Sequence, residues 1–417
     1  MISDNSRVFP KGGWYLPKNT GIRTNEAIYD FPRNYCTTLT PTMHHTHRET
    51  RSNLYPSIGH MRDALKNMKF LDLDVVEYVG TVKLHGTHGD VIQNRDTGEI
   101  IVQSRNRVLS EEQDNCHFAK FVRNRCQEEL CDVFEHVASF HPEAKSIGVY
   151  GEFCGKKIQS GVGVSLFDPF FVIVDVRVDD GWQHSSAILA AIADHLDTKS
   201  TSGGNGSSRN VYSVFEFPRF HVKLDARDPE PARELIDRLT EEVGSDCPVA
   251  RKLLTASDSA GNAKKLKLPG EGIVWKCQHG SRHWFKSKCE AHAVVADTPK
   301  KREKNGDGGN DVVVDEFLAR YVTPARLRQG LDYLREFNLP MATSSTRAFV
   351  KWVRDDTLKE GADDDSLVHG DEALQKAVSR AISDAARKWW FQQPRHSFRS
   401  SCSESSKKSS SSGSWTQ

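Results

Sequence analysis

Thr81-Val-Lys-Leu-His-Gly-Thr-His88 is the stretch from which the fold is read. Upstream of it, Val76-Glu-Tyr-Val-Gly-Thr-Val alternates as a half-buried strand does, so Lys83 stands at a strand end. Downstream, Gly89-Asp-Val-Ile-Gln93 and Glu99-Ile-Ile-Val-Gln-Ser104 repeat the alternation, with Asp96-Thr-Gly98 as the hairpin turn between them. A short helical stretch near Met61–Met68 precedes the block, and a helix over residues 117–138 follows it. Two further strands are expected at Ser146–Phe153 and Phe170–Val176, then a turn at Asp180-Gly181 and a helix over 184–197. A strand is expected near Val211–Phe217 and a helix near Pro231–Val243. Val274–Gln278 and His283–Lys288 then form a hairpin around His279-Gly-Ser281. Interspersed short strands and helices of this kind predict an α+β fold.

The chain has 417 residues, 37% hydrophobic and 27% charged, enough for two or three domains each with its own core. No apolar run approaches the roughly 18 residues that span a bilayer, and the N-terminus lacks the apolar core of a secretory signal. The nine cysteines have no regular spacing, and reduced thiols in the cytosol or nucleus are expected, an organelle not being excluded. Residues 1–54 are expected to be an irregular extension, and Ser200–Asn210 a Ser/Gly-rich insertion. Residues 55–299 would be the main α+β body, 300–310 a charged linker, 311–391 an all-helical C-terminal domain and 392–417 a disordered Ser/Lys-rich tail. Thr323 is a natural helix cap, with Pro324 at the first helical position.

The net charge is only +1, which disfavours a protein that coats nucleic acid non-specifically. Positive charge is instead concentrated between Lys264 and Lys304, in the company of three segments that share chemistry with Lys83. These are Tyr150-Gly-Glu-Phe-Cys-Gly155, Glu271-Gly-Ile-Val-Trp-Lys276 and Phe285-Lys-Ser-Lys288. A free lysine amine is neutral in about one molecule in 2,500 at pH 7, so a nucleophilic Lys83 needs burial or neighbouring cations. Lys286 and Lys288, on one face of a strand, would supply them and converge on one phosphate. Glu152 and Glu271 would favour the ammonium form unless a divalent cation or a ribose hydroxyl takes up their charge. Gly86 lets the backbone pass close to a nucleotide.

Lys83-Leu-His-Gly-Thr resembles the lysine motif of the covalent nucleotidyltransferase superfamily, in the branch holding phage RNA ligase 2 and the kinetoplastid RNA-editing ligases. The resemblance runs from about residue 55 to 290. It implies an ATP-grasp-like nucleotidyltransferase domain with mixed antiparallel sheets, followed by a small helical domain. It further implies that Lys83 is adenylylated by ATP with Mg²⁺ or Mn²⁺, and that RNA is the partner. Gln103-Ser-Arg-Asn-Arg-Val-Leu109 resembles the next motif, with Arg105 contacting the nucleotide and the RNA end. Gly151-Glu-Phe resembles the motif whose glutamate, here Glu152, meets the ribose. Phe170-Phe-Val-Ile-Val-Asp-Val176 resembles the strand whose aromatic residue stacks on adenine, with Phe171 chosen and Phe170 next to it. Glu271 falls on the metal side, and Lys286 and Lys288 match the lysines that hold the α-phosphate. The implied activity is ATP-dependent joining of RNA 5′-phosphate and 3′-hydroxyl ends.

His85 has two readings, a group in the sealing step or a hydrogen-bonded structural histidine. Cys277, His279, His283 and Cys289 do not follow the usual paired zinc spacing. Trp389-Trp390-Phe391 is read as core packing at a helix end rather than a base-stacking platform. The same lysine chemistry also serves mRNA capping and DNA ligation, and a non-catalytic RNA-binding relative is the third alternative.

Overall fold

The computed structural model describes residues 55–183, 186–202, 209–257, 266–292, 309–361 and 372–393, all within one compact unit, Cys36–Gln417. The expected N-terminal extension, the centre of the 200–210 insertion, most of the linker and the Ser/Lys-rich tail lie outside these residues.

Strand β1 (Val75–Lys83) alternates in burial along its first half, its even residues facing a core and its odd residues the opposite side. It pairs antiparallel with β8 (Arg219–Asp225) and β9 (Gly272–Lys276), and β9 pairs with β10 (Phe285–Lys288), giving the order β10-β9-β1-β8. Helix α1 (Met61–Phe70) and helix α5 (Glu230–Ser245) pack against this sheet. The buried residues of α5, namely Ala232, Ile236, Thr240 and Val243, recur at helical spacing, which makes one continuous apolar stripe.

The second sheet has the order β3-β2-β4-β5-β6, built from β2 (Thr87–Asn94), β3 (Ile100–Ser104), β4 (Ser146–Cys154), β5 (Phe170–Val178) and β6 (Gly181–Trp182). Short β7 (Val211–Ser213) adds in parallel to β5, so the sheet is mixed. Asn94 Oδ1 accepts the backbone N–H groups of Asp96 and Thr97, which closes the β2–β3 turn where turn chemistry expected it. Helices α2 (Phe118–Phe121) and α3 (Gln127–Phe140) are joined by a π turn at Val122–Cys126. Phe118 and Phe121 pack on Phe153.

A second core belongs to the C-terminal helices α7 (Gly309–Tyr321), α8 (Pro324–Glu336), α9 (Thr346–Gly361) and α10 (Glu372–Gln392). Thr323 Oγ1 accepts the Arg326 N–H at 3.2 Å, with Pro324 inside the first turn, so the expected cap is made. Trp390 is buried, with its ring 4.8 Å from Phe349, and Trp389 stacks on the same ring at 5.8 Å. Their role is packing, while Phe391 stays exposed.

Several expectations are revised. The strand expected over 211–217 ends at Ser213. There Ser213 Oγ accepts the Phe215 N–H and Glu216 accepts the Ser213 N–H, which caps a 3-10 turn and redirects the chain into β8. Helix α4 (Ser186–Ser202) runs past residue 197, and a further helix, α6 (Pro248–Ser257), stands between the expected helix near 231–243 and the hairpin. Cys116, Cys126, Cys154, Cys247, Cys277 and Cys289 are free, whereas Cys131 is disulfide-bonded, against the expectation of reduced thiols throughout. Among the described residues no helix is long and apolar enough to cross a membrane.

Arg326 ties the helical core together. Its side chain is fully buried, Nε donates to the Tyr321 carbonyl at 2.8 Å, and Nη1 pairs with Asp356. Arg326→Ala removes the partner of a carboxylate and of a carbonyl together, so urea unfolding should register a loss of about 3–5 kcal/mol.

Candidate active site

Residues of the two sheets line one cleft. Antiparallel partners share a face, so Lys83 lies on one side with Gly272 and Lys288, and Thr81 with Val274 and Lys286. On the facing sheet, Glu152 pairs with Val172, and Cys154 with Phe170. A cavity of about 370 Å³ continues along the odd face of β1, walled by Val79, Thr81, Val174, Asp175 and Lys276. The Lys276 ammonium closes one part of it, 3.0 Å from Asp175 and over the rings of Tyr55 and Trp284.

Glu271 is the hub. Its carboxylate is only 3% exposed, yet Lys83 Nζ lies 2.8 Å from Oε2, His85 Nδ1 3.1 Å from the same oxygen, and Lys288 Nζ 2.9 Å from Oε1. Burial opposes the charge of this carboxylate, but Lys83, Lys288 and His85 together hold it well below the usual carboxylate range. Burial likewise opposes the Lys83 ammonium, and Glu271 and then Glu152 outweigh it and raise its pKa. Lys83 is therefore held protonated here, and becomes nucleophilic only when the carboxylate charge is taken up elsewhere.

Gly272 has a φ of +151°, and a Cβ there would lie 2.1 Å from the Ser287 carbonyl, so glycine is what lets the strands of Lys83 and Lys288 close on one another. Ser287 holds the other side of β10: its Oγ is 2.6 Å from Thr240 Oγ1 and accepts the Trp275 indole N–H at 3.0 Å. With Ser287 anchored backward, Lys286 and Lys288 project into the cleft. Lys286 is pushed down to about 8, first by burial and then by Lys288, with Glu360 acting the other way.

Gly86 follows the lysine at a point of close approach. Its N–H donates to Glu152 Oε1 at 2.9 Å, and a Cβ would fall 2.1 Å from the Phe153 carbonyl. Arg105 is exposed on the loop after β3, within electrostatic reach of Lys83 and Lys286.

That loop is clamped from the helical region. Glu336, the last residue of α8, accepts Ser104 Oγ and Asn106 Nδ2 with its two carboxylate oxygens, each at 2.8 Å. Its carbonyl accepts Arg107 Nη2 at 2.7 Å. From the end of α9, Glu360 lies 2.7 Å from His60 Nε2 and within reach of Lys286. One glutamate thus fixes both flanks of Arg105.

Lys83, His85, Glu271 and Lys288 meet directly, with Glu152, Lys286 and Arg105 around them. Phe171 does not join them. It is fully buried on the opposite face of β5, against Phe118 at 5.3 Å, and its ring fills the space that a Cβ on Gly151 would take. Phe170 lies on the Glu152 face instead. Sequence reading also missed His292, whose ring meets His85 edge-on at 5.0 Å and which burial first, then His85, lowers to about 4. It missed Glu336 and Glu360 as well, because no motif spacing links them to Lys83. Cys277, His279, His283 and Cys289 each have other partners: the Cys277 carbonyl accepts the Trp284 indole, His283 Nδ1 lies by the His279 carbonyl, and the Cys289 thiol donates to Gly270.

Among the described residues no group of three or more His, Cys, Asp or Glu side chains could hold a metal ion. A single buried carboxylate, Glu271, is nevertheless a sufficient protein contribution for Mg²⁺ or Mn²⁺, which characteristically takes one or two carboxylates with substrate phosphates and water.

Residues 76–288, just over half the chain, match the family model described as RNA ligase. No curated protein matches the chain. Among solved structures, the chain is similar to Naegleria gruberi RNA ligase with PPi, at 18% identity and a TM-score of 0.38, over 58% of this chain and 57% of that one. A mutant of that ligase with AMP and Mn gives the same values. A further mutant with ATP and Mn gives 18% identity and a TM-score of 0.37, over 57% and 56%. The chain thus spans somewhat over half the length of the solved ligases it matches.

Gly86→Ala should push the backbone away from Phe153 and break the hydrogen bond to the Glu152 carboxylate, so urea unfolding should register a loss of about 1.5–3 kcal/mol, the worth of one hydrogen bond to a charged group.

Proposed function

Because the chain belongs to the RNA ligase family, we propose that it is an ATP-dependent RNA ligase working through a covalent Lys83–AMP intermediate. The observation that carries this reading is the convergence of Lys83 and Lys288 on one buried carboxylate, Glu271, with Glu152 and Lys286 on the walls of the same cleft.

In this reading Lys83 Nζ attacks the α-phosphorus of ATP, a P–N bond forms and pyrophosphate leaves. The AMP then passes to the 5′-phosphate of an RNA strand, and the 3′-hydroxyl of the other end displaces AMP to form the phosphodiester. Bound Mg²⁺ or Mn²⁺ supplies positive charge at Glu271 and the phosphates. The chain's own residues position and stabilise. Glu271 shares its charge with Lys83 before ATP arrives and releases the amine once that charge is neutralised. Lys286 and Lys288 hold the α-phosphate. Glu152, with Oε1 bound by Gly86, offers its second oxygen to the ribose. The base would enter the inter-sheet cleft on the face of β5 that Phe170 shares with the partner of Glu152. Arg105 and His85 serve the RNA end.

The His85-Gly86-Thr87 sequence and the helical segment beginning Ala319-Arg-Tyr-Val-Thr-Pro-Ala-Arg-Leu-Arg328 favour the branch of phage RNA ligase 2 and the RNA-editing ligases. Capping enzymes and DNA ligases would carry a β-barrel after Lys288, where α7–α10 stand here. A binding-only relative has no use for the Lys83–Glu271–Lys288 arrangement.

Incubated with radiolabelled ATP and Mg²⁺ or Mn²⁺, the protein should retain label on a denaturing gel, and Lys83→Ala should retain none. Label from GTP alone would favour capping, and no label with either nucleotide and either metal would favour the binding-only relative. The alkaline limb of the reaction follows from Lys286. A group whose pKa is lowered to about 8 keeps its charge below that pH and loses it above, so kcat/KM for ATP should fall as pH rises through about 8. Lys286→Arg should remove that fall, whereas an unchanged profile would assign it to another group.

A further inference from the structure

The helical region carries a groove that the adenylylation chemistry does not use. It is an open depression of about 630 Å³ beside α8 and α9, lined by Tyr333, Arg347, Lys351, Trp352, Asp356 and Lys359. Tyr333 and Trp352 stack with centroids 5.9 Å apart and planes 21° from parallel, and the exposed Phe337 ring lies 4.9 Å from Tyr333. Both stacked side chains are only half-buried. Helix packing accounts for their inner edges. It does not account for the charges beside them.

Arg347, Lys351, Asp355 and Lys359 follow one another every fourth residue, so they form a single exposed row down α9. Three of the four are cations. The acids are already engaged: Asp355 with Lys351 and Arg354, and Asp356 with buried Arg326. A surface pair such as Lys351–Asp355 is held weakly, so its cation remains available to a phosphate. Half-exposed aromatic rings edged by a row of cations are what a single polynucleotide strand requires, since bases stack on any π-face and phosphates need only charge.

The groove also leads somewhere. Asp356 on its wall is within electrostatic reach of Lys286. At the aromatic end, Phe337 follows Glu336, the residue that grips the Arg105 loop. The groove is thus flanked by residues that adjoin elements of the proposed catalytic cleft.

We propose that this groove binds a single-stranded stretch of the RNA substrate next to the end being joined, with bases on Phe337, Tyr333 and Trp352 and phosphates on Arg347, Lys351 and Lys359. The proposal rests on the RNA ligase reading above and adds to it where the strand lies.

The test measures the affinity of the full chain for a fluorescein-labelled single-stranded RNA by anisotropy over a salt series, alongside lysine labelling from ATP. The double variant Arg347→Glu/Lys351→Glu should lose tenfold or more in affinity, and its log–log salt slope should shrink by about 1.4, or about 0.7 per phosphate contact. Trp352→Leu should cost about tenfold with the slope unchanged, as loss of one stacked base does. Labelling from ATP should be unaffected in both. RNA affinity and salt slope equal to wild type in the charge-reversed protein would overturn the groove, as would wild-type protein that binds no single strand. A charge-reversed protein that loses affinity equally for RNA and polyglutamate, with Trp352→Leu silent, would make the face an acidic-protein site and also overturn the proposal. Failure of wild-type labelling from ATP would instead strike the ligase reading, and the anisotropy series would still decide the groove.

Discussion

A carboxylate buried to 3% exposure and gripped by two lysines and a histidine is the constraint around which this molecule is arranged. Left unpaired, a charge at such depth would cost several kcal/mol. Three strand ends must therefore arrive together: β1 bringing Lys83, β10 bringing Lys288, and the start of β9 bringing Glu271. The glycine after Glu271 exists for that approach, and the hydroxyl of Ser287, bonded to Thr240 and Trp275, keeps β10 from twisting its lysines away.

The arrangement is balanced rather than merely stable. Glu271 keeps Lys83 charged, which protects the buried pair but suppresses nucleophilicity. The proposed chemistry requires the carboxylate to be relieved of its counter-ion role, which the positive charge of a bound divalent cation would do. Lys286 is poised differently. Burial and the Lys288 ammonium push its pKa down, and Glu360, which comes from the helical region and is itself paired with His60, offsets only part of that. One lysine is neutralised in advance and its neighbour is kept hungry for an anion.

The helical region is joined to this chemistry by two glutamates. Glu336 spans the residues on either side of Arg105, and Glu360 faces Lys286. Both lie at helix C-termini, where the helix dipole does not favour an acid. Each is offset by hydrogen bonds to the other part of the chain, so these ends are stabilised by docking and not by the helices themselves.

Most strands and the cap at Thr323 were legible in the sequence, as was the grouping of Lys83, Glu152, Glu271, Lys286 and Lys288 that the fold brings into one neighbourhood, because alternation and motif order are local properties. It did not determine which of Phe170 and Phe171 faces the cleft. A bulge in the pairing of β4 with β5 near Tyr150 and Gly151 complicates a reading by simple alternation, and only the ladder register fixes the face. Nor could it place His292, Glu336 or Glu360. Those residues reach the site through packing between segments separated by up to 300 positions, where charge complementarity is a property of folded distance and leaves no trace in spacing.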